Sequence, residues 1–140
     1  MTNPVLLHAS CVAVSGRGVL ILGPSGSGKS ALALQLMAYG ADLVADDQTE
    51  LTVQDGTLIA RCPPTLSGLI ESRGVGILRT RVVTQATVHL VVDRGTAETA
   101  RLPPRRTFTL LGAAVDLVLN SDSNHFPASV LCYLNGSRQA

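Results

Sequence analysis

One stretch limits this chain more than any other. The apolar run Val19-Leu20-Ile21-Leu22 leads directly into Gly23-Pro24-Ser25-Gly26-Ser27-Gly28-Lys29-Ser30. The apolar run reads as a buried strand. After Ser30, the sequence SALALQLMAYG reads as a helix, with Leu32, Leu36 and Tyr39 on one face and Gly40 at its end. Strand, glycine-rich turn and helix in that order make an α/β unit. The glycines let main-chain N–H groups turn inward without a Cβ in the way, and the helix adds its positive N-terminal end. The pattern G-x-x-x-x-G-K-S is complete at Gly23, Gly28, Lys29 and Ser30. It predicts a P-loop cradling the phosphates of ATP, formed by Gly23, Pro24, Ser25, Gly26, Ser27, Gly28, Lys29 and Ser30. Lys29 would neutralise the β- and γ-phosphates, and the Ser30 hydroxyl would sit on Mg²⁺.

The rest of the chain is rich in strands. Ser10 to Val14 and Val19 to Leu22 flank the turn Ser15-Gly16-Arg17-Gly18 and predict a hairpin feeding the glycine loop. Glu50 to Val53 and Thr57 to Arg61 flank Asp55-Gly56, a second hairpin signal. Pro63-Pro64 breaks the chain, and a short turn or helix is expected over Leu66 to Glu71. Strands are expected over Thr87–Val92, Thr107–Leu111 and Val115–Leu119, a mobile polar loop over 94–106, and a closing helix over Pro127–Leu134. Hairpins among few helices predict an α/β domain with a mixed sheet. Without repeats or an internal linker, residues 1–140 read as a single domain.

Composition removes several function classes. Hydrophobic residues make up 46% of the chain and charged ones 15%, enough for a sizeable core. A net charge of +1 and 3% aromatic residues offer neither the basic face nor the stacking platform of a nucleic-acid binder. No signal-like N-terminus and no apolar stretch of roughly 20 residues is present, so neither export nor a membrane partner is expected. Cys11, Cys62 and Cys132 are far apart, which suits reduced thiols of a cytoplasmic protein and no zinc site. His89, in an apolar strand, and His125, near a helix start, read as structural.

Leu43-Val44-Ala45-Asp46-Asp47 places two carboxylates at the exit of an apolar strand. Strand alternation predicts that only one of them faces the nucleotide. A carboxylate there orders Mg²⁺ through water or takes a proton from an attacking hydroxyl. The bland reading is a solvated pair at a loop start.

At Leu69-Ile70-Glu71-Ser72-Arg73-Gly74-Val75-Gly76-Ile77-Leu78 the chain resembles the signature of the HPr serine kinase/phosphorylases. These bacterial enzymes phosphorylate a serine of HPr, the phosphocarrier protein of the sugar phosphotransferase system. His8, the glycine loop, "LVADD" and "IESRGVGIL" occur in family order. The resemblance is good over about residues 5–92, weaker to 119 and poor beyond. It implies a mixed α/β fold related to phosphoenolpyruvate carboxykinases, a kinase activity on an HPr-like protein, and assembly as a homo-oligomer, typically a hexamer. By position it implies that Lys29 holds the transferred phosphate, Ser30 and Glu71 ligate the metal, and Asp47 accepts the serine proton. Asp46 remains the second candidate for that proton, because sequence cannot orient the pair. Arg73-Gly74 would shape the catalytic loop, His8 would tune the acidic group, and Arg101 would steady the phosphoryl group in flight.

Each role has a plainer reading: His8 as a core histidine, Glu71 and Arg73 as a surface ion pair, Arg101 as a solubilising loop residue. Asn120-Ser121-Asp122-Ser123-Asn124 stands where the family carries an Arg/Gly-containing stretch linked to dephosphorylation. The resemblance also implies a catalytic core without the N-terminal domain of longer members. Two rival readings stay open: a kinase for another substrate, and a nucleotide-binding regulator without transfer activity.

Overall fold

The computed structural model describes residues 3–140. A short first strand, β1 (Val5–Leu7), is followed by the hairpin of β2 (Ser10–Val14) and β3 (Arg17–Leu22), then by helix α1 (Lys29–Ala38) and strand β4 (Asp42–Ala45). A second hairpin joins β5 (Thr49–Gln54) to β6 (Thr57–Arg61). Its turn residues Asp55 and Gly56 both have positive φ, 53° and 75°, as the tight hairpin turn predicted from that dipeptide requires. A 3₁₀ turn at Pro64–Leu66 precedes the separate hairpin of β7 (Leu69–Ser72) and β8 (Gly76–Arg79). The long strand β9 (Gln85–Ala97), the hairpin β10 (Arg106–Leu110) and β11 (Ala113–Asn120), and helix α2 (Phe126–Asn135) complete the chain.

The main sheet runs β1-β5-β6-β9-β3-β2-β4, with β11 also on β9 and β10 on β11. The β3–β9 and β9–β11 pairings are parallel and the other named ladders antiparallel, so the sheet is mixed. Its ends must meet. A flat sheet would separate β4 from β5 by five strand spacings, about 24 Å. Only Asp46, Asp47 and Gln48 connect the two strands, and four virtual bonds span at most about 15 Å. The sheet is therefore curled, and the β1–β2 link His8-Ala9 crosses the same seam. A hydrogen bond from Thr49 Oγ1 to Ala9 O, 2.8 Å, ties the two crossings together.

Alternation divides the apolar residues between two cores. Cys11, Leu20, Leu51, Leu58, Ala60 and Val91 fill the inside of the curl. Val12, Val19, Ile21, Leu90 and Val92 face outward, where Leu32 and Leu36 of α1 and Val130 and Leu134 of α2 cover them. The β3–β9 register jumps between Gly18↔Val88 and Val19↔Leu90, which leaves His89 as an unpaired bulge residue. That bulge keeps Val88 and Val91 on the same face although they are three residues apart.

Three expectations need correction. Tyr39 does not share the buried face of Leu32 and Leu36; it caps the C-terminus of α1 and is 63% exposed. Residues 69–71 are strand, not turn or helix, because Ile70 alternates into the core while Leu69 and Glu71 do not. The segment 94–106 is not all loop: β9 continues to Ala97, held by β11, and only residues 98–105 remain between strands. Only one of the two acids, Asp47, lines the site, as expected, but a turn beyond the end of β4 and not strand alternation separates them.

Candidate active site

The glycine loop and the seam meet at one corner. Gly28 caps α1 at φ 93°, with no side-chain cap and no acidic residue in the helix's first turn. The first N–H groups of α1 are thus left to an acceptor from outside the helix. Lys29 is only 6% exposed, and its Nζ donates to Gly23 O at 2.8 Å and Pro24 O at 3.2 Å. The ammonium is curled along the loop with one proton to spare.

Asp46 and Asp47 have opposite environments. Asp46 is 8% exposed. Its Oδ1 accepts from Ser30 Oγ at 2.6 Å and from Ser10 Oγ at 2.8 Å, while Oδ2 accepts from Glu71 N at 3.2 Å. Three donors from three elements compensate the buried charge. The side chain of Asp47 is 61% exposed. Its φ is 67°, and Gln48 N–H bonds back to Asp46 O at 2.7 Å around it. This three-residue turn reverses the chain at the seam. That turn, and not strand alternation, separates the acids: β4 ends at Ala45, Asp47 lines the cavity, and Asp46 bonds Ser30 Oγ without lining it. His8 Nδ1 lies 3.1 Å from Asp47 Oδ1 and 2.9 Å from Asp47 O. Both partners are oxygen acceptors, so Nδ1 carries the proton and His8 donates to the turn.

A cavity of about 410 Å³ opens here, lined by Gly26, Lys29, Ser30, Asp47, Glu71 and Arg73, among others. Ile70 fixes the β7–β8 hairpin in the outer core, so the next residue, Glu71, points to the cavity side. Gly23, Pro24 and Ser27 form the flank of the loop and do not line the cavity; His8 reaches it only through Asp47. Arg101 lies exposed in the 98–105 segment, outside the lining. Burial first, and then the neighbouring Asp46 charge, push the Cys62 thiol up. His125 caps the N-terminus of α2, well along the chain from these residues.

Two participants were not singled out in the sequence. Ser10 is fully buried; its hydroxyl donates to Asp46 and accepts from Asp47 N at 3.2 Å. A serine opening an otherwise apolar strand beside His8 was its only signal. Arg94 packs on the far flank of the loop, where a Cβ added to Gly28 would lie 2.8 Å from its Nη2.

The sequence profile described as HPr Serine kinase C-terminal domain matches residues 1–93. The chain belongs to that family. Similar proteins include the HPr kinase/phosphorylase of Bordetella petrii, 38% identical over 81% of this chain and 41% of its own length. The HPr kinase/phosphorylase of Aromatoleum aromaticum is 39% identical over 82% of this chain and 41% of its own. That of Clostridium botulinum is 47% identical over 51% of this chain and 24% of its own. The chain thus spans between a quarter and two fifths of the length of these relatives. A solved structure of the Hpr(Ser) kinase/phosphatase from Coxiella burnetii superposes with a TM-score of 0.78 at 29% identity, covering 94% of both chains. The mixed α/β fold with its curled sheet is therefore that of the family. The family profile ends at Asp93, the last β9 residue in register with β3. Among the described residues no helix is long and apolar enough to cross a membrane.

Proposed function

We propose that residues 1–140 form one kinase domain, which moves the γ-phosphoryl group of ATP to a serine hydroxyl of an HPr-like phosphocarrier protein. The observation that carries this reading is the Asp46–Ser30 bond beside an exposed, histidine-held Asp47. It puts two carboxylates with different tasks at the mouth of a loop built for anions.

The residues suit Mg²⁺. This ion keeps several waters and takes few protein ligands alongside substrate phosphates, so it needs no closed protein cage. Ser30 Oγ, the Asp46 carboxylate bonded to it and Glu71 on the cavity wall are hard oxygen donors of the right kind. When bound, the ion would neutralise charge on the phosphates.

The loop amides and Lys29 hold the phosphate tail, and most of the rate comes from positioning and charge neutralisation. The serine oxygen forms a bond to the γ-phosphorus as the bond to the ADP oxygen breaks, and ADP leaves with that electron pair. The serine proton goes to the Asp47 carboxylate, which His8 and the tight turn hold towards the cavity. Arg73, on the same wall, positions the incoming segment. Arg101 would have to reach the phosphoryl group by movement of the 98–105 segment.

Incubation with ATP, Mg²⁺ and the HPr-like protein of the same organism, followed by intact-mass analysis, tests the reading. A gain of one phosphoryl group on serine supports it. Tight ATP binding without transfer would favour a nucleotide-binding regulator. Removal of phosphoserine by inorganic phosphate is expected to be slow, because the 120–124 segment presents the anionic Asp122 and no arginine. Rapid phosphorolysis would contradict that part of the assignment.

A further inference from the structure

The parallel pairing of β3 with β9 ends at Leu22↔Asp93, so the next residues, Gly23 and Arg94, lie side by side. On its other edge β9 breaks register with β11 between Asp93 and Ala97, which throws Arg94, Gly95 and Thr96 out of the ladder. Arg94 turns onto the glycine loop. A Cβ at Gly23 would lie 3.1 Å from Arg94 Cβ, and one at Gly28 would lie 2.8 Å from Nη2 and 3.5 Å from Nε. The φ of 93° is what requires glycine at position 28, and the missing Cβ lets the guanidinium lie against the loop there. Nη1 donates to Asn120 Oδ1 at 2.7 Å, but the buried Nε has no partner, and neither has the buried Ser27 Oγ beside Gly23.

A partly buried guanidinium with few acceptors is costly. Burial pulls its pKa down, and the charge of Asp122 acts against this. The guanidinium lies against the glycine loop at Gly28, where an anion held by the loop would add compensating charge. Arg94 does not line the cavity beside Lys29 but a smaller one with Ser121, Asp122 and Asn124, so it reaches the phosphate cradle only through its contacts with Gly23 and Gly28. We propose that Arg94 is a positioning residue of the phosphate cradle: it props Gly23 and Gly28 from outside and adds a second positive centre to that of Lys29.

This rests on the nucleotide reading above. Such a group favours bound ATP and the transition state equally, so it acts on affinity and leaves kcat alone. The test is the Kd for MgATP by calorimetry, without any acceptor protein, together with steady-state kinetics. Arg94→Met should raise Kd and KM about tenfold with kcat within about twofold, a loss typical of one charge-assisted contact. The gap between wild type and Arg94→Met should narrow at high salt, which a purely steric prop would not produce. Arg94→Lys, which keeps the charge and loses the planar fork, should recover part of the affinity. If Arg94→Met fails to fold, Arg94→Lys carries the test with a rise in Kd of about threefold. Unchanged Kd in the folded variants, with wild type binding normally, overturns the role of Arg94 alone. Failure of the wild type to bind MgATP overturns both this role and the kinase reading.

Discussion

The glycine loop has two flanks, and they are built differently. On the seam flank, both acids are held from other elements: Ser10, Ser30 and the Glu71 amide converge on Asp46, and His8 holds Asp47. On the β9 flank, Arg94 has Asn120 while its Nε, like Ser27 Oγ, has none. A saturated network fixes geometry, whereas an unsaturated cation waits for charge. The first arrangement suits chemistry that depends on sub-ångström placement, and the second suits binding.

Variants on the two flanks should therefore differ in kind. The largest effect is expected for Asp46→Asn, which removes the charge that organises Ser30. Transfer should fall on the order of 10²-fold or more, as when a preorganised electrostatic partner is lost. Retention of most activity would show that the seam is merely structural. Ser10→Ala should follow, at about 1 kcal/mol of stability, read as a shift in the denaturation midpoint, because it strips one donor from buried Asp46. Asn120→Ala frees Arg94 on the other flank and should only weaken MgATP binding by a few-fold, leaving kcat intact. A fall in kcat there would erase the distinction between the flanks. The smallest effect belongs to Tyr39→Ala, within about 0.5 kcal/mol of wild type in chemical denaturation, since the ring is exposed.

A pH experiment probes the core behind the seam. Burial pushes the Cys11 thiol from 9.0 up to about 12. The unfolded chain therefore loses this proton at a lower pH than the folded one. The contribution is fully present below pH 9.0 and is lost as pH rises towards about 12. Cys11→Ala should flatten that decline in stability, and Cys132, which is exposed, should react with thiol reagents long before Cys11 does.

Much of the seam flank could be read from residues alone. The glycine loop, the first two hairpins and the acid pair are local signals, and local signals survive folding. The orientation of Asp46 and Asp47 could not be read, because it depends on a three-residue turn that only the curl of the sheet makes necessary. Glu71 and Arg73 stand out through the family resemblance and not through periodicity, and the four-residue strand beneath them is too short to tell from a turn or short helix in the sequence. Arg94 looked like the start of a polar loop. Its place beside Gly23 follows from a parallel pairing between strands far apart in sequence, which leaves no mark on either strand by itself. Tyr39 fitted helical spacing but fell at the end of α1, where the stripe has already left the core.

On the proposed reading, Asp47 takes the proton of an incoming serine while the loop independently holds the nucleotide. The most direct test compares wild type with Asp47→Asn for MgATP affinity and for phosphorylation of the HPr-like protein by intact mass. Binding should stay within about threefold while transfer drops by at least about 10²-fold, the usual share of a general base. Near-normal transfer by Asp47→Asn would contradict it.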